Sequence, residues 1–262
     1  MPILEKNPGL LEALRGAMTP KFAATRSAEG TPNVVPLVSI TPAEDQPDTL
    51  YFGNFLLRKT VTNLDQDKRM GILVITPDLK GWILKADFVE WQATGPYVDL
   101  QNSSALLRYN AYTGIRNAGL IRVLSVEGSF TISKLQVARD YLLARMAALF
   151  ARGSAAGTAM PLAVRREFAR MVAVKVLAWV GVDGYPAAVP ALSLQPAGPG
   201  TLVAWKGSPA PADGASVAGN ILTFAAVSYQ IKGKWSAGKN TGTLTVQEVY
   251  AGGPPLPGGR VA

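Results

Sequence analysis

Two stretches decide the fold, GTPNVVPLVSI at residues 30–40 and GYPAAVPALSL at residues 184–194. They share a glycine, two prolines and a valine at the same places, 154 positions apart (184 minus 30). Each is followed by an aromatic run, DTLYFGN at 48–54 and GTLVAWK at 200–206, and then by a short LKG or IKG motif, at 79–81 and 231–233. Self-similarity at a fixed spacing indicates a duplicated structural unit. The sequence therefore predicts two tandem copies of one unit.

Each copy alternates short β-prone runs with turn residues, a spacing typical of an antiparallel barrel. Pro36 and Pro190 occupy matching positions inside strand-like runs. Because proline cannot donate a ladder hydrogen bond, we expect both at a strand edge or a bulge, a place that often lies beside a ligand. Both copies open with a short amphipathic segment, GLLEALRGAM and PLAVRREFARM, which predicts a helix before the strands.

A helix is predicted between the copies over residues 133–153, with apolar side chains at Leu135, Leu142, Leu143, Met146 and Leu149 and a stop at Gly153. Small and flexible residues follow it. The predicted fold is mainly β with helices: a domain at 1–152 that includes the connecting helix, and a second barrel-like domain at 153–262.

Composition narrows the chemistry that this chain of 262 residues can perform. It contains neither Cys nor His, which excludes disulfides, thiolate catalysis, imidazole bases and imidazole metal ligands. A demanding reaction would thus need an organic cofactor, and no metal site is expected. The net charge of +8 is scattered rather than clustered, so no nucleic-acid partner is expected. Without an apolar span or signal-like start, we expect no membrane partner and a cytoplasmic location.

One segment carries the candidate binding chemistry. After the strand ending at Asn54, the chain reads FLLRKTVTNL, which places Arg58, Lys59 and Thr60 at the start of a predicted helix. Free backbone N–H groups and the helix dipole favour an anion there. A guanidinium, an ammonium and a hydroxyl offer charge-assisted bonds to several phosphate oxygens.

The order of these motifs resembles the FMN-binding split-barrel family, which includes pyridoxamine 5′-phosphate oxidase-like flavoproteins. The resemblance covers residues 7–130 and, through the repeat, extends weakly to the second half. It implies FMN as the cofactor, with the isoalloxazine ring along one strand and the phosphate after the next. The implied ring contacts are Val34, Val35, Pro36 and Leu37, the implied phosphate contacts are Asn54, Arg58, Lys59 and Thr60, and the secondary candidates near the flavin are Tyr112, Arg116 and Asn117.

The second copy departs from this pattern where the phosphate would sit. It reads KGSPAPADGASVAGN, with no arginine and two prolines that discourage a helix start, so we expect it to bind no FMN. Two interpretations stay open: the copy closes over the first copy's flavin or forms a dimer surface, or it is only a packing partner. Lys80 and Lys232 of the LKG and IKG motifs are interpreted as structural, and Trp82, Trp91 and Tyr97 as core or interface.

The leading hypothesis is an FMN-dependent oxidoreductase or electron-transfer flavoprotein, with no catalytic side chain identified. Its partners would be a small-molecule or protein electron donor or acceptor, including NAD(P)H, and a homodimer is expected because single split barrels pair around the flavin. One alternative keeps the barrel and replaces FMN by the deazaflavin F420. The other, from a different class, is a non-catalytic flavin-binding or sensing module.

Overall fold

The computed structural model describes residues 1–104, 114–150, 157–205, 207, 209–253 and 257–262. The first half consists of α1 (Pro8–Arg15), β1 (Lys21–Arg26), β2 (Pro32–Pro36), β3 (Thr41–Pro42), β4 (Thr49–Gly53), α2 (Lys59–Gln66), β5 (Arg69–Ile75), β6 (Lys80–Gln92), α3 (Pro96–Ser103) and β7 (Ala118–Thr131). After α4 (Lys134–Phe150), the second half consists of α5 (Leu162–Phe168), β8 (Val174–Val180), β9 (Pro186–Pro190), β10 (Gln195–Gly198), β11 (Thr201–Trp205), β12 (Ser216–Leu222), β13 (Ser228–Ala237) and β14 (Thr241–Ala251).

Each half forms one antiparallel sheet of seven strands, and the two sheets have the same strand order. The first runs β2-β1-β5-β6-β7-β4-β3 and the second β9-β8-β12-β13-β14-β11-β10. The register is duplicated as well, since Phe22 pairs with Pro36 and Val176 pairs with Pro190. The predicted mainly β fold in two tandem units is confirmed. The division at residue 152 stays a prediction.

The two repeated prolines lie on the outermost strands of their sheets. β2 is an edge strand of the first sheet and β9 of the second. Pro36 and Pro190 cannot donate a ladder hydrogen bond, and at the sheet edge they interrupt no bond between two interior strands, as the sequence predicted. The helices predicted before each copy are also present, as α1 and α5.

The register corrects one equivalence drawn from the sequence. Ala23 pairs with Ile72 and Ile72 with Leu84, while Leu177 pairs with Gly219 and Gly219 with Ile231. Lys232 therefore corresponds to Lys85 and not to Lys80. Lys80 instead begins β6 at the surface, where it pairs with Asp78 at 3.2 Å.

The connecting helix is confirmed as α4, but its apolar stripe faces outward. Leu135 is 80% exposed and Leu142, Met146 and Leu149 are more than half exposed, while Ala144 and Ala148 are buried. The small alanines allow α4 to lie close to β10 and β11. The predicted stop at Gly153 lies outside the described residues.

The two sheets face each other through an apolar layer between the halves. Phe22, Val34 and Leu73 of the first half contact Val176 and Ala188 of the second. The arrangement is nearly two-fold, because β2 contacts β8 and β12 while its counterpart β9 contacts β1 and β5. Such a reciprocal interface is typical of a symmetric dimer. Here both members belong to one chain.

Polar contacts secure the margin of this layer. Lys85 pairs with Asp183 at 2.6 Å, and the Tyr185 hydroxyl donates a hydrogen bond to Asp87 at 3.0 Å. Each contact joins β6 to the turn before β9 and so fixes the relative position of the halves. Among the described residues, no helix is long and apolar enough to cross a membrane.

Candidate functional site

A cavity of about 330 Å³ opens where β2, the start of α2 and the second half meet. This volume lies at the lower end of the range for small-molecule sites, about 300–1,000 Å³. The first half contributes the end of β2 and the segment between β4 and α2, and the second half contributes β12, β13, the end of β14 and the C-terminal segment. The lining side chains include Asn33, Val35, Pro36, Leu37, Arg58, Lys59, Thr60, Asn220, Gln230 and Tyr250.

The helix start predicted from the sequence is present as α2, and it brings two cations and a hydroxyl to the cavity. Arg58 is the N-cap residue, and no side chain caps the first turn. The first backbone N–H groups of a helix have no intrahelical acceptor. Arg58 is exposed, Lys59 is half-buried and Thr60 is buried. The helix start therefore offers both donors and positive charge to an anion.

Buried amide side chains form the inner wall. Asn33 donates a hydrogen bond from Nδ2 to Thr60 Oγ1 at 3.3 Å. Gln230, from the second half, donates from Nε2 to Asn33 Oδ1 at 2.9 Å and to the Val34 carbonyl at 2.7 Å. The Asn220 amide reaches the same carbonyl at 3.3 Å. A polar chain thus runs from β13 across the interface to the start of α2.

A second group of charges surrounds Lys59. Its Nζ lies 2.9 Å from the centre of the Tyr250 ring, and Lys232 Nζ lies 6.0 Å from the same ring. Burial lowers the pKa of Lys59 to about 8, helped by the positive charges of Lys232 and Arg260. Burial also lowers the pKa of Lys232. Glu248 is the carboxylate acting on both lysines, so the cluster retains positive charge.

Tyr250 is held in place by this cluster. Its hydroxyl donates a hydrogen bond to Glu248 at 2.7 Å, and Arg260 approaches the other oxygen of that carboxylate at 3.7 Å. Burial and the neighbouring carboxylate raise the pKa of Tyr250 to about 12. The phenol therefore stays neutral over the physiological range, and its ring face remains available to a cation.

Six of the eleven residues proposed from the sequence line the cavity: Val35, Pro36, Leu37, Arg58, Lys59 and Thr60. Val34 does not, because strand side chains alternate and its own points into the layer between the halves. Its carbonyl oxygen still accepts the two amide hydrogen bonds of the inner wall. That backbone contact organises the site without lining it.

Asn54, Arg116 and Asn117 also lie outside the lining of this cavity. The Asn54 amide donates to Asn117 Oδ1 at 2.9 Å, and the two backbones pair beyond the ends of β4 and β7. These two asparagines extend the sheet rather than reach the cavity. Arg116 is exposed. Tyr112 lies outside the described residues.

The contributions of the second half were missed by sequence reasoning. Gln230 and Asn220 are polar side chains inside apolar strand patterns, and each is less than 5% exposed. A buried polar residue on a strand needs a partner, and that was the available signal. Tyr250 gave no comparable signal, because its contact with Lys59 joins residues 191 positions apart (250 minus 59).

Two of the aromatic residues that were assigned to the core or an interface pack against other aromatic side chains. Trp91 packs against Phe52 and Phe88, with ring centres 5.5 and 4.7 Å apart, and Tyr97 stacks on Tyr51 at 4.8 Å. These aromatic side chains belong to the core. No group of three or more carboxylates able to hold a metal occurs in the described part of the chain.

No family model matches this chain, and no curated protein matches it in sequence. Several solved structures are similar to half of it. An FMN-binding protein from Syntrophomonas wolfei is 15% identical with a TM-score of 0.41, covering 50% of this chain and 93% of its own. A pyridoxamine 5′-phosphate oxidase-related, FMN-binding protein from Nostoc punctiforme is 12% identical with a TM-score of 0.31, covering 47% and 77%.

HutZ, the heme storage protein from Vibrio cholerae, is 16% identical with a TM-score of 0.36, covering 50% of this chain and 95% of its own. At such identities and TM-scores, the likeness decides neither the ligand nor the activity of this chain.

Proposed function

We propose that the cavity between the halves binds FMN and that the protein is a flavin-dependent oxidoreductase or electron-transfer protein. One observation carries the proposal: an apolar strand wall and an uncapped helix start bearing Arg58 and Lys59 converge on a single cavity of about 330 Å³. This combination suits a ligand with a flat apolar ring at one end and a phosphate dianion at the other.

The roles of the residues follow from their positions. Lys59 and Arg58 supply positive charge to the phosphate, and the free N–H groups of α2 supply donors. Val35, Pro36 and Leu37 form the wall along which the ring would lie. Gln230 and Asn220 fix this strand from the second half. This arrangement favours the interpretation in which the second copy closes over the first copy's ligand.

When bound, FMN would accept and pass on a hydride or electrons, and the protein would bind and orient it. We assign no side chain to proton transfer. The donor and acceptor would be small molecules or proteins, NAD(P)H among them. The two alternatives inferred from the sequence remain open: the same cavity binds F420, or it binds a flavin without turnover.

The phosphate assignment is tested by comparing two ligands, FMN and riboflavin, on one pair of variants. Replacing Arg58 and Lys59 together by Ala is expected to weaken FMN binding by at least about 100-fold, because charge-assisted hydrogen bonds contribute about 1.5–3 kcal/mol each. Riboflavin, which lacks the phosphate, is expected to bind the variant and the parent protein with similar affinity. Fluorescence titration of both ligands measures the two constants.

Lys80→Ala provides the matched control, because Lys80 is an exposed cation of the same half that pairs with Asp78 away from the cavity. FMN affinity that is unchanged in the Arg58 and Lys59 double variant would refute their assignment. The visible spectrum of the retained ligand separates FMN from F420. Titration of the loaded protein with NADH and NADPH then separates turnover from storage, since slow reduction by both donors would favour the non-catalytic alternative.

A further inference from the structure

A second cavity, of about 240 Å³, opens beside β9 and is lined by residues of both halves and of α4, at the position that corresponds to the first. Val189–Ser193 line it, just as Val35–Ser39 line the first cavity, 154 positions earlier. One supporting hydrogen bond is also duplicated. Ser39 Oγ accepts from the Gly53 N–H at 3.3 Å, and Ser193 Oγ accepts from the Trp205 N–H at 3.0 Å.

The side chains facing this second cavity differ in character from those of the first. Trp205 takes the place of Gly53, and Ile83 takes the place of Gln230. No helix follows β11 among the described residues, and α4 covers that side with Val137 and Asp140. The polar inner wall of the first cavity has therefore become an apolar and aromatic one, although a cleft of comparable size remains open.

The charges of the described residues around this cleft disfavour a phosphate. The lining residues that the structure describes include no lysine or arginine, and Asp140 adds a carboxylate. Arg139 already pairs with that carboxylate at 2.7 Å. This pairing offsets the negative charge that would otherwise attract a cationic ligand. Trp205 and Phe130 contribute aromatic side chains to the lining instead. The lining fits an uncharged molecule.

We propose that this second cavity binds a small, uncharged aromatic molecule of one or two rings. Its volume falls just below the range for drug-sized ligands, which sets the size. The duplicated unit has two equivalent clefts. In the second cleft the lining side chains differ from those of the first, but the cleft stays open. This proposal does not depend on FMN binding in the first cavity.

The test uses the full chain and the neutral, two-ring fluorescent probe 6-propionyl-2-(dimethylamino)naphthalene. Val38 and Leu192 occupy matching positions in the two cavities, and tryptophan at either position fills its own cleft. Val38→Trp is expected to retain micromolar probe binding, because the second cavity stays open. Adding Leu192→Trp to it is expected to weaken probe binding by tenfold or more. Probe fluorescence gives both constants.

Equal probe binding by the single and double variants, or none by Val38→Trp, would overturn the proposal. Circular dichroism checks that each variant is folded. Because Leu192 is nearly buried, Ile83→Gln provides a second, milder variant at a partly exposed position. It introduces the side chain found at the matching position of the first cavity and is expected to weaken the probe about fivefold in the Val38→Trp background. An unchanged constant there also contradicts the assignment.

Discussion

The two halves share a strand order and a register but differ in the segment that follows the aromatic strand. After β4 the chain enters α2 and presents Arg58 and Lys59 to a cavity. After β11 the described residues 207 and 209–215 contain no helix. Paired strands fix a backbone frame, whereas the connecting segments decide the chemistry at its opening. The comparison therefore separates what the fold provides from what individual segments add.

A second difference between the halves lies in the core. Lys21 and Lys175 are matching residues on β1 and β8, and both are almost completely buried. Lys21 Nζ donates to the carbonyls of Gly16 and Val38 at 3.0 and 3.1 Å. Lys175 Nζ has no hydrogen-bond partner among the described residues and lies 5.5 Å from the centre of the Tyr141 ring. Burial lowers the pKa of Lys21 to about 8 and that of Lys175 to about 7.

The largest expected effect is that of Lys175→Met. An unfolded lysine keeps its proton up to about pH 10.5, whereas folded Lys175 loses it near pH 7. Because the unfolded chain binds the extra proton in this window, Lys175 alone contributes a rise in the stability of the parent protein from pH 7 to pH 10.5, by at most about 1.4 kcal/mol per pH unit. Lys175→Met is expected to remove this rise and to add about 3 kcal/mol to the unfolding free energy at pH 6. Urea unfolding from pH 6 to pH 10 measures both.

Lys21→Met is the matched control, with the opposite sign near neutral pH. It removes two hydrogen bonds and leaves two part-buried carbonyls without that donor, so it is expected to lower the unfolding free energy. Equal responses of the two lysine variants would contradict the asymmetry between the halves.

The next effect concerns the contact between the halves. Gly71 on β5 and Ala218 on β12 are matching residues. A Cβ added at Gly71 would clash with the backbone carbonyl of Pro186, on the opposite half. Gly71→Ala is expected to cost about 2 kcal/mol of unfolding free energy, because the sheets must separate locally. Gly128→Ala, where an added Cβ meets nothing within 4 Å, is the control. Equal stability of the two alanine variants would show that the interface is loose.

The smallest expected effect is on FMN affinity and concerns Tyr250, at the cavity opening. Tyr250→Leu removes the ring that lies against Lys59 and is expected to weaken FMN binding by about 1 kcal/mol, or about fivefold. Tyr250→Phe keeps the ring and loses only the hydroxyl bonded to Glu248, so it is expected to retain most of the affinity. Fluorescence titration compares the three proteins. A leucine variant that binds as well as the parent would remove Tyr250 from the site.

Local patterns were sufficient for the elements and for half of the candidate site. The repeat predicted the two units and the edge positions of Pro36 and Pro190, and the RKT motif predicted the helix start at the cavity. Strand alternation separated Val35 from Val34 only once the register was known. Gln230 and Tyr250 reach the site across the interface, and no local pattern specifies which distant strand will face a given residue. The sequence did not predict that the apolar side chains of α4 face outward. Periodicity shows that these side chains share one face of the helix, but not which way that face points.

The covalent connection through α4 has a consequence for how the two clefts can diverge. In an assembly of identical subunits, any substitution that alters one cleft alters its twin, so a gain in one place is repeated in the other. Joining both halves in a single polypeptide removes that constraint. Gly53 can stay small beside one ligand while Trp205 narrows the opposite cleft. One cleft can therefore keep its original ligand while substitutions change the lining of the other.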